Sequence, residues 1–269
     1  MTDPKFEFDT GGASDKGCIR EQNEDRFLTK PSSGVWVVAD GMGGHEAGDY
    51  ASQTIVDSVG SIGFPASAPD LQARFVERIE RAHEDIQARS RELNGATVGA
   101  TLVAVLAFEE NFACIWSGDS RIYLLRDDEM RQVSTDHTEA QELLAAGSIT
   151  PEEAENWPRK NVITRAIGVS SKPRLDEIYG VLRPDDVFLL CSDGLTEHVE
   201  DHEIDDAMRL GDAQKTCDDL IQMTLDRGAR DNVTVVVVRC LSQNPTETEA
   251  ESDTQSTRQT TEIDWSIGT

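Results

Sequence analysis

Residues 35–48 read VWVVADGMGGHEAG, and this stretch decides the fold because it joins an uninterrupted apolar run to an acidic turn. A run of Val, Trp and Ala without a polar interruption is typical of a strand that is buried on both faces. The run stops at Asp40, and glycines follow it. A carboxylate at the tip of a buried strand closes a turn or belongs to a binding site, and the rest of the chain must decide between the two.

Five further segments have the character of strands, since they are rich in Val, Ile and aromatic residues and are bounded by Gly, Asp or Asn. They cover residues 101–108, 112–116, 122–125, 187–191 and 234–238. Only three residues separate the first segment from the second, and only five separate the second from the third. Such short connections predict that these neighbours pair antiparallel, as a meander.

Helical spacing recurs outside this meander. The longest pattern repeats apolar residues every three or four positions, with a final member farther on, at Leu71, Phe75, Ile79, Ala82, Ile86 and Leu93. Two shorter helices are predicted over about residues 47–59, directly after the glycines, and 213–225, with Gly228 as the stop signal. Because helices and antiparallel strands occupy separate runs of the chain, the predicted fold class is α+β, with sheets covered by helices.

Two segments do not have the pattern of a core. Residues 136–172 are long, polar and mixed, with a short helical pattern near residues 140–146, and their position between two strands predicts a flap over a site. Residues 242–269 are rich in Thr, Ser and Glu, which predicts a disordered acidic tail. We therefore predict a catalytic domain over residues 1–241, with the flap at about residues 136–172, followed by the tail.

The composition excludes several classes of function. A formal net charge of −26 argues against nucleic-acid binding, including a two-metal nuclease, because such proteins need a basic face. The five cysteines contain no C-x-x-C pair, which fits reduced structural thiols. The N-terminus lacks the basic start and apolar core of a secretory signal, and the longest apolar runs are strand-sized. We therefore expect a cytoplasmic protein with no membrane partner.

Four aspartates follow or precede strand segments, and together they suggest a metal site. Asp40, Asp119 and Asp193 each come at the end of an apolar run, and Asp231 with Asn232 precedes another. One such aspartate alone is most simply a turn residue. Four carboxylates gathered at strand ends would repel one another unless a cation neutralised them. Oxygen ligands without nearby His or Cys favour Mg²⁺ or Mn²⁺, and a pair of such ions hydrolyses phosphoesters.

A phosphate anchor is available in the segment IREQNED, residues 19–25. Arg20 precedes Glu24 and Asp25 there. The planar guanidinium donates two parallel hydrogen bonds to a phosphate, which suits a tetrahedral substrate. The simpler alternative for an arginine near acids is a surface ion pair with little effect on stability.

These residues belong to a series of ordered motifs. RxxNED, ADGMGGHxAG, GATL, SGDSRxYLLR, NVITRAIG, LLCSDGL and RDNVTVVVV follow one another along the chain. Together they resemble the metal-dependent protein phosphatase family, the protein phosphatase 2C type, in its bacterial form. The resemblance runs from about residue 11 to residue 240, and it implies a central antiparallel β-sandwich flanked by helices on both sides.

The resemblance implies two metal ions, Mn²⁺ or Mg²⁺. Asp40 would bridge them, and the carbonyl of Gly41 would bind one. Asp193 and Asp231 would hold the other, and Glu24 would act through a coordinated water.

Further roles follow from the same resemblance. Asp119, together with Asp193, matches the position that supports a third, weaker metal in bacterial members. Arg20 would hold the substrate phosphate, and Asp25 would orient Arg20. Asn232 would hold the metal ligands in position without binding a metal itself.

One position departs from the family pattern. Animal members carry a histidine two residues after the first metal aspartate, where it is thought to protonate the leaving group, and this chain has Met42 there. Methionine cannot transfer a proton. His45 lies nearby and is a candidate acid, although a lone histidine at a helix start more often caps or packs. A water on the third metal is the other candidate.

The implied function is that of a metal-dependent serine/threonine protein phosphatase, in which a metal-bridging hydroxide attacks phosphoserine or phosphothreonine directly. The catalytic residues would be Arg20, Asp40, Asp193 and Asp231. A catalytically weak regulatory scaffold that binds phosphoproteins is the alternative, and metal-dependent turnover distinguishes the two.

The implied partners are phosphoproteins and a cognate serine/threonine kinase, and we expect a monomer. Threonines of the tail, among them Thr246 and Thr248, lie in an acidic context that a kinase could phosphorylate and a phosphothreonine-binding partner could read. A solubilising tail with no partner is the alternative.

Overall fold

The computed structural model describes residues 6–44 and 46–242, which form two antiparallel sheets packed face to face. The first sheet, sheet 1, has the strand order β1 (Phe6–Asp15), β11 (Val233–Ser242), β10 (Val187–Cys191), β7 (Arg121–Arg126) and β8 (Glu129–Gln132). The second, sheet 2, has the order β2 (Asp25–Lys30), β3 (Val35–Met42), β5 (Leu102–Phe108), β6 (Asn111–Ser117) and β9 (Asp176–Val181), with β4 (Gly99–Ala100) paired to β3.

Helices cover the outer face of each sheet. Sheet 2 is covered by α1 (Glu46–Gly60) and α2 (Ala68–Glu92). Sheet 1 is covered by α5 (Asp193–Thr196), α6 (Asp201–Arg209) and α7 (Ala213–Asp226). Two short helices, α3 (Glu139–Ala145) and α4 (Pro151–Glu155), lie between β8 and β9. None of the helices in the described part of the chain is long and apolar enough to cross a membrane.

The alternation of side chains along β3 explains these layers. Val35, Val37 and Ala39 belong to the core between sheet 2 and its helices, whereas Trp36 and Val38 belong to the core between the sheets. All five side chains are fully buried. Both faces of the strand are therefore apolar, because successive side chains point to opposite sides. The predicted sandwich with helices on both sides is confirmed.

The six strand segments read from the sequence correspond to the inner strands of the two sheets, β3, β5, β6, β7, β10 and β11. The three predicted helices are also present, as α1, α2 and α7. Most apolar residues of the long helical pattern are buried, but Leu93 follows the last residue of α2 and is 36% exposed. Gly228 adopts a φ of 83° after α7, as a helix stop requires.

The expected pairing of β6 with β7 is wrong. Strand β6 lies between β5 and β9 in sheet 2, and β7 lies between β10 and β8 in sheet 1. Only Gly118, Asp119 and Ser120 connect them, and these three residues cross from one sheet to the other. Gly118 makes this crossing possible, because its φ is 117° and an added Cβ would lie 2.6 Å from Cβ of Thr101. A short connection is compatible with a hairpin or a crossing, and packing decides between them.

The flap predicted at residues 136–172 lies between β8 and β9, and it therefore connects the two sheets. Its helix α4 is largely exposed, whereas α3 is mostly half-buried and buries Ala140. Nearly all of the tail predicted over residues 242–269 falls on residues outside the described part of the chain.

Candidate active site

The strand-end aspartates converge at one edge of the sandwich. Asp40 follows the fully buried run of β3, Asp193 begins α5 two residues after β10, and Asp231 lies two residues before β11. These three carboxylates line one cavity of about 520 Å³. Asp119, in the crossing between β6 and β7, lines an adjoining cavity of about 780 Å³, and Asp193 borders both. The fold thus gathers residues that are far apart in the sequence.

Burial and the closeness of neighbouring carboxylates raise the pKa values of four aspartates of the site. Burial and then the neighbouring carboxylates raise the pKa of Asp40 and of Asp193 well above the usual range. Burial also raises the pKa of Asp25 and of Asp119, each to about 6. Asp25 is directly opposite Asp40 in the pairing of β2 with β3, a position where like charges repel. The site is therefore a concentration of negative charge that a cation would stabilise.

Two buried carboxylate oxygens fit such a cation. Within residues 6–44 and 46–242, one oxygen of Asp25 and one of Asp119 have no hydrogen-bond donor. In the same ranges, no three His, Cys, Asp or Glu side chains are gathered tightly enough to enclose an ion alone. A cation at this site would therefore need backbone oxygens and waters to complete its shell, as Mg²⁺ commonly does.

Close packing at Gly41 and Gly48 positions Glu24. The amide of Gly41 donates to the Glu24 carbonyl at 3.2 Å. A Cβ at Gly41 would lie 2.2 Å from the Gly48 carbonyl oxygen, and one at Gly48 would lie 2.2 Å from Oε2 of Glu24. Only glycine fits at either position, so the start of α1 approaches the Glu24 carboxylate closely.

Arg20 lies at the mouth of the Asp40 cavity. Its Nη2 donates to Oδ2 of Asp231 at 2.5 Å, and its side chain is 55% exposed. The hydrogen bond to Asp231 raises the pKa of Arg20, so the guanidinium is charged. The expected orientation of Arg20 by Asp25 is wrong. Asp25 is buried and accepts a hydrogen bond from Oγ of Ser192 at 2.7 Å instead.

Asn232 connects the Arg20 loop to the start of β11. Its Oδ1 accepts from the amide of Glu24 at 2.8 Å, and its Nδ2 donates to the carbonyls of Lys16 and Gln22. Its own amide donates to Oδ1 of Asp231 at 2.7 Å. One buried side chain therefore fixes the distance between the loop and the strand.

Several hydroxyl side chains hydrogen-bond to the acidic residues of the site, although they were not predicted as site residues from the sequence. Oγ1 of Thr101 accepts from the amide of Asp40 at 3.1 Å and shares a hydrogen bond with Oγ of Ser120 at 2.7 Å. Oγ of Ser192 accepts from the amide of Thr234 at 3.0 Å while it donates to Asp25. The three hydroxyl residues Thr101, Ser120 and Ser192 lie inside the motifs GATL, SGDSRxYLLR and LLCSDGL, and these motifs were the signal that could have revealed them.

The flap borders both cavities. Ile163 lines the Asp40 cavity together with Met42. Lys160 and Asn161 line the Asp119 cavity. His45, the candidate acid, lies outside the described residues.

The sequence matches a family model and a related protein that are both described as phosphatases. The family model described as "Protein phosphatase 2C" matches residues 19–235. The chain is 37% identical over 236 residues to the "Serine/threonine phosphatase stp" of Listeria innocua, which covers 84% of this chain and 93% of the relative.

Solved structures agree in fold. The serine/threonine phosphatase PstP/Ppp of Mycobacterium tuberculosis superposes with a TM-score of 0.81 at 34% identity, covering 87% of this chain and 99% of that one. A structure of the PstP catalytic domain in complex with two manganese ions has a TM-score of 0.77, with the same identity and coverage. By its sequence, its fold and its gathered carboxylates, this chain belongs to the protein phosphatase 2C family.

Proposed function

We propose that this protein hydrolyses phosphoserine and phosphothreonine in proteins with the help of divalent Mn²⁺ or Mg²⁺. One observation carries the proposal: Asp40, Asp193 and Asp231 line the same cavity as Arg20, so a cation site and a phosphate anchor face the same space. The names of the curated relatives give serine/threonine phosphatase activity to proteins that match most of this chain.

The metal ligands follow from the cavity. Asp40, Asp193 and Asp231 would hold two ions, with the Gly41 carbonyl as a further ligand and Glu24 acting through water. Asp119 and Asp193 would hold a third, because Asp193 borders both cavities. Bound divalent ions supply charge stabilisation and a more acidic water for attack on phosphorus.

Arg20 binds the substrate phosphate. Its fork has donors left after the bond to Asp231, and a phosphate accepts two of them in parallel. The Asp231 carboxylate orients the guanidinium, and Asn232 fixes the loop that carries it. The reaction breaks the bond between phosphorus and the seryl or threonyl oxygen, which leaves with a proton. Met42 cannot supply that proton, and His45 is the candidate from the chain itself.

The kinase, the partner of the tail, the oligomeric state and the location are inferred from the sequence. A cognate serine/threonine kinase would produce the substrates, and the tail threonines would bind a phosphothreonine-recognising partner. A monomeric state and a cytoplasmic location remain predictions.

The test is hydrolysis of p-nitrophenyl phosphate and of a phosphothreonine peptide by metal-stripped protein, with Mn²⁺, Mg²⁺ or Zn²⁺ restored separately. We expect activity on both substrates with Mn²⁺ or Mg²⁺, and its loss in Asp40→Asn. Asp128→Asn is the matched control, because the Asp128 side chain is 99% exposed and remote from the cavities. Absence of activity with every metal would overturn the proposal in favour of a phosphoprotein-binding scaffold.

A further inference from the structure

Two buried histidines lie near the two ends of the flap. His137 is in its first residues, and His83 on α2 contacts residues near its end. They are 4% and 2% exposed. In each, Nδ1 accepts a hydrogen bond from a glycine amide, Gly118 for His137 and Gly168 for His83. Nε2 of His83 also donates a hydrogen bond, to the carbonyl of Ser170 at 3.0 Å. The two histidines differ because only Gly118, the partner of His137, lies next to a carboxylate of the site.

The hydrogen bonds of His137 determine its tautomer. The amide of Gly118 is a donor, so Nδ1 of His137, 3.1 Å away, is an acceptor. The neutral ring therefore carries its proton on Nε2, which lies 3.1 Å from Oδ2 of Asp176 and donates to it. Burial lowers the pKa of His137, which favours this neutral form. One ring thus joins a glycine amide on one side to a carboxylate on the other.

On the Gly118 side, His137 holds the turn that carries Asp119. The amide of His137 also donates to the Gly118 carbonyl at 2.9 Å, so the two residues are joined twice. Two residues after Gly118, Ser120 bonds to Thr101, which accepts from the amide of Asp40. The Asp119 turn is therefore held between His137 and Thr101.

On the other side, His137 joins the base of the flap. Asp176 is the first residue of β9 and also accepts from Nη1 of Arg165 at 2.7 Å. The amide of Thr164 donates to the His137 carbonyl at 2.8 Å. The ring of Trp116 stacks on the imidazole with 6.2 Å between centroids. The chain before and after the flap helices thus meets at this histidine.

We infer that His137 is a positioning residue that couples the flap to the Asp119 turn and so holds the Asp119 carboxylate in place for a divalent cation. The inference rests on the proposed function, since it takes Asp119 as a ligand. This role of His137 predicts that the hydrogen bond from the Gly118 amide to His137 controls cation binding. It also predicts that the hydrogen bond from His137 to Asp176 controls how the flap binds a phosphopeptide.

Two substitutions of His137 each remove one of the two hydrogen bonds of its ring and keep the other. In His137→Asn the amide oxygen reaches the place of Nδ1 and still accepts from Gly118, but the contact with Asp176 is lost. In His137→Gln the amide nitrogen reaches the place of Nε2 and still donates to Asp176, but the contact with Gly118 is lost. His83→Asn is the matched control, because it changes an equivalent buried histidine at the other end of the flap.

The measurements are Mn²⁺ binding by calorimetry and KM and kcat for a phosphothreonine peptide, with thermal unfolding to confirm folding. We expect His137→Gln to weaken the weakest Mn²⁺ site by about 10- to 100-fold, the range for residues that orient metal ligands. We expect His137→Asn to bind Mn²⁺ like the wild type and to raise KM, and His83→Asn to leave Mn²⁺ binding unchanged. Wild-type Mn²⁺ binding in a folded His137→Gln variant would overturn the inference.

A measurement on the wild type keeps the test independent of folding in the variants. Hydrogen exchange with and without Mn²⁺ should show protection at residues 117–121 and also at residues 135–138 and 164–176. Protection confined to residues 117–121 would overturn the coupling, whereas loss of metal-dependent turnover in Asp193→Asn would still support the proposed function. The two proposals therefore fail separately.

Discussion

The inner and outer strands of the two sheets differ in how they are stabilised and in what they carry. The inner strand β3 is buried on both faces, whereas the outer strand β9 alternates between half-buried and exposed residues and leaves Tyr179 44% exposed. All four strand-end aspartates adjoin inner strands: Asp40, Asp193 and Asp231 adjoin β3, β10 and β11, and Asp119 lies between β6 and β7. Arg20 precedes the outer strand β2, and the flap connects the outer strands β8 and β9.

The inner strands therefore suit groups that need fixed positions, and the outer strands and loops suit groups that must adapt to a substrate. Cation ligands need fixed positions, and strands packed between two cores provide them. Groups that meet a variable protein substrate can lie on edges and loops, where changes cost less stability. Substitutions at inner positions should therefore affect chemistry or folding, and substitutions at outer positions should affect substrate binding.

The largest effect is expected at an inner strand end. Asp193→Asn should lower kcat for p-nitrophenyl phosphate by more than about 100-fold, above the usual loss for residues behind metal ligands. The protein should remain folded, because the change removes one of several mutually repelling carboxylates. Steady-state kinetics with saturating Mn²⁺ and a thermal unfolding curve check both points. Full activity in this variant would show that the ligand assignment is wrong.

The next effect concerns stability. Trp36→Ala should lower the free energy of unfolding by about 3–5 kcal/mol, because it leaves a cavity between the sheets. Tyr179→Ala on β9 should lower it by less than about 1 kcal/mol, since the side chain is partly exposed. Urea unfolding of both variants gives the comparison. Equal losses would contradict the distinction between inner and outer strands.

A smaller effect is expected beside the outer strand β2. Arg20→Ala should raise KM for p-nitrophenyl phosphate by roughly 10-fold, as expected for loss of a hydrogen bond between charged groups. The change in kcat should be smaller. Arg131→Ala is the control, because Arg131 is exposed and pairs with Glu129 away from the cavities. A fall in kcat at constant KM would assign Arg20 to the transition state alone.

The smallest effect is expected in the flap. Trp157, whose Nε1 donates to Glu139 at 3.0 Å, joins the end of α4 to the start of α3. Trp157→Ala should raise KM for a phosphothreonine peptide a few-fold, on the order of the loss of one ordinary hydrogen bond. KM for p-nitrophenyl phosphate should not change, because that substrate is too small to need the flap. A parallel rise for both substrates would place Trp157 in the site itself.

The same comparison explains which strands the sequence revealed. All six inner strands were predicted, because burial on both faces leaves a continuous apolar run. The outer strands β1, β2, β8 and β9 were missed. Each has one partner strand in its sheet and a mixed pattern of burial, so its sequence carries little apolar signal.

For the site, the sequence by itself determined which residues are available. The acidic strand ends and Arg20 could be named because turn residues after apolar runs are local features, and the ordered motifs supported a family. The cofactor class followed from oxygen-rich ligands, and the structure of PstP with two manganese ions supports divalent metal use in the family.

Only the tertiary structure decided which of these residues meet. It placed β6 and β7 in different sheets, paired Arg20 with Asp231 rather than Asp25, and brought His137 against Gly118. Each outcome depends on contacts between residues distant in the chain or on packing around a short crossing. Local patterns record burial and turn preference, but they do not record which buried partner a side chain will find.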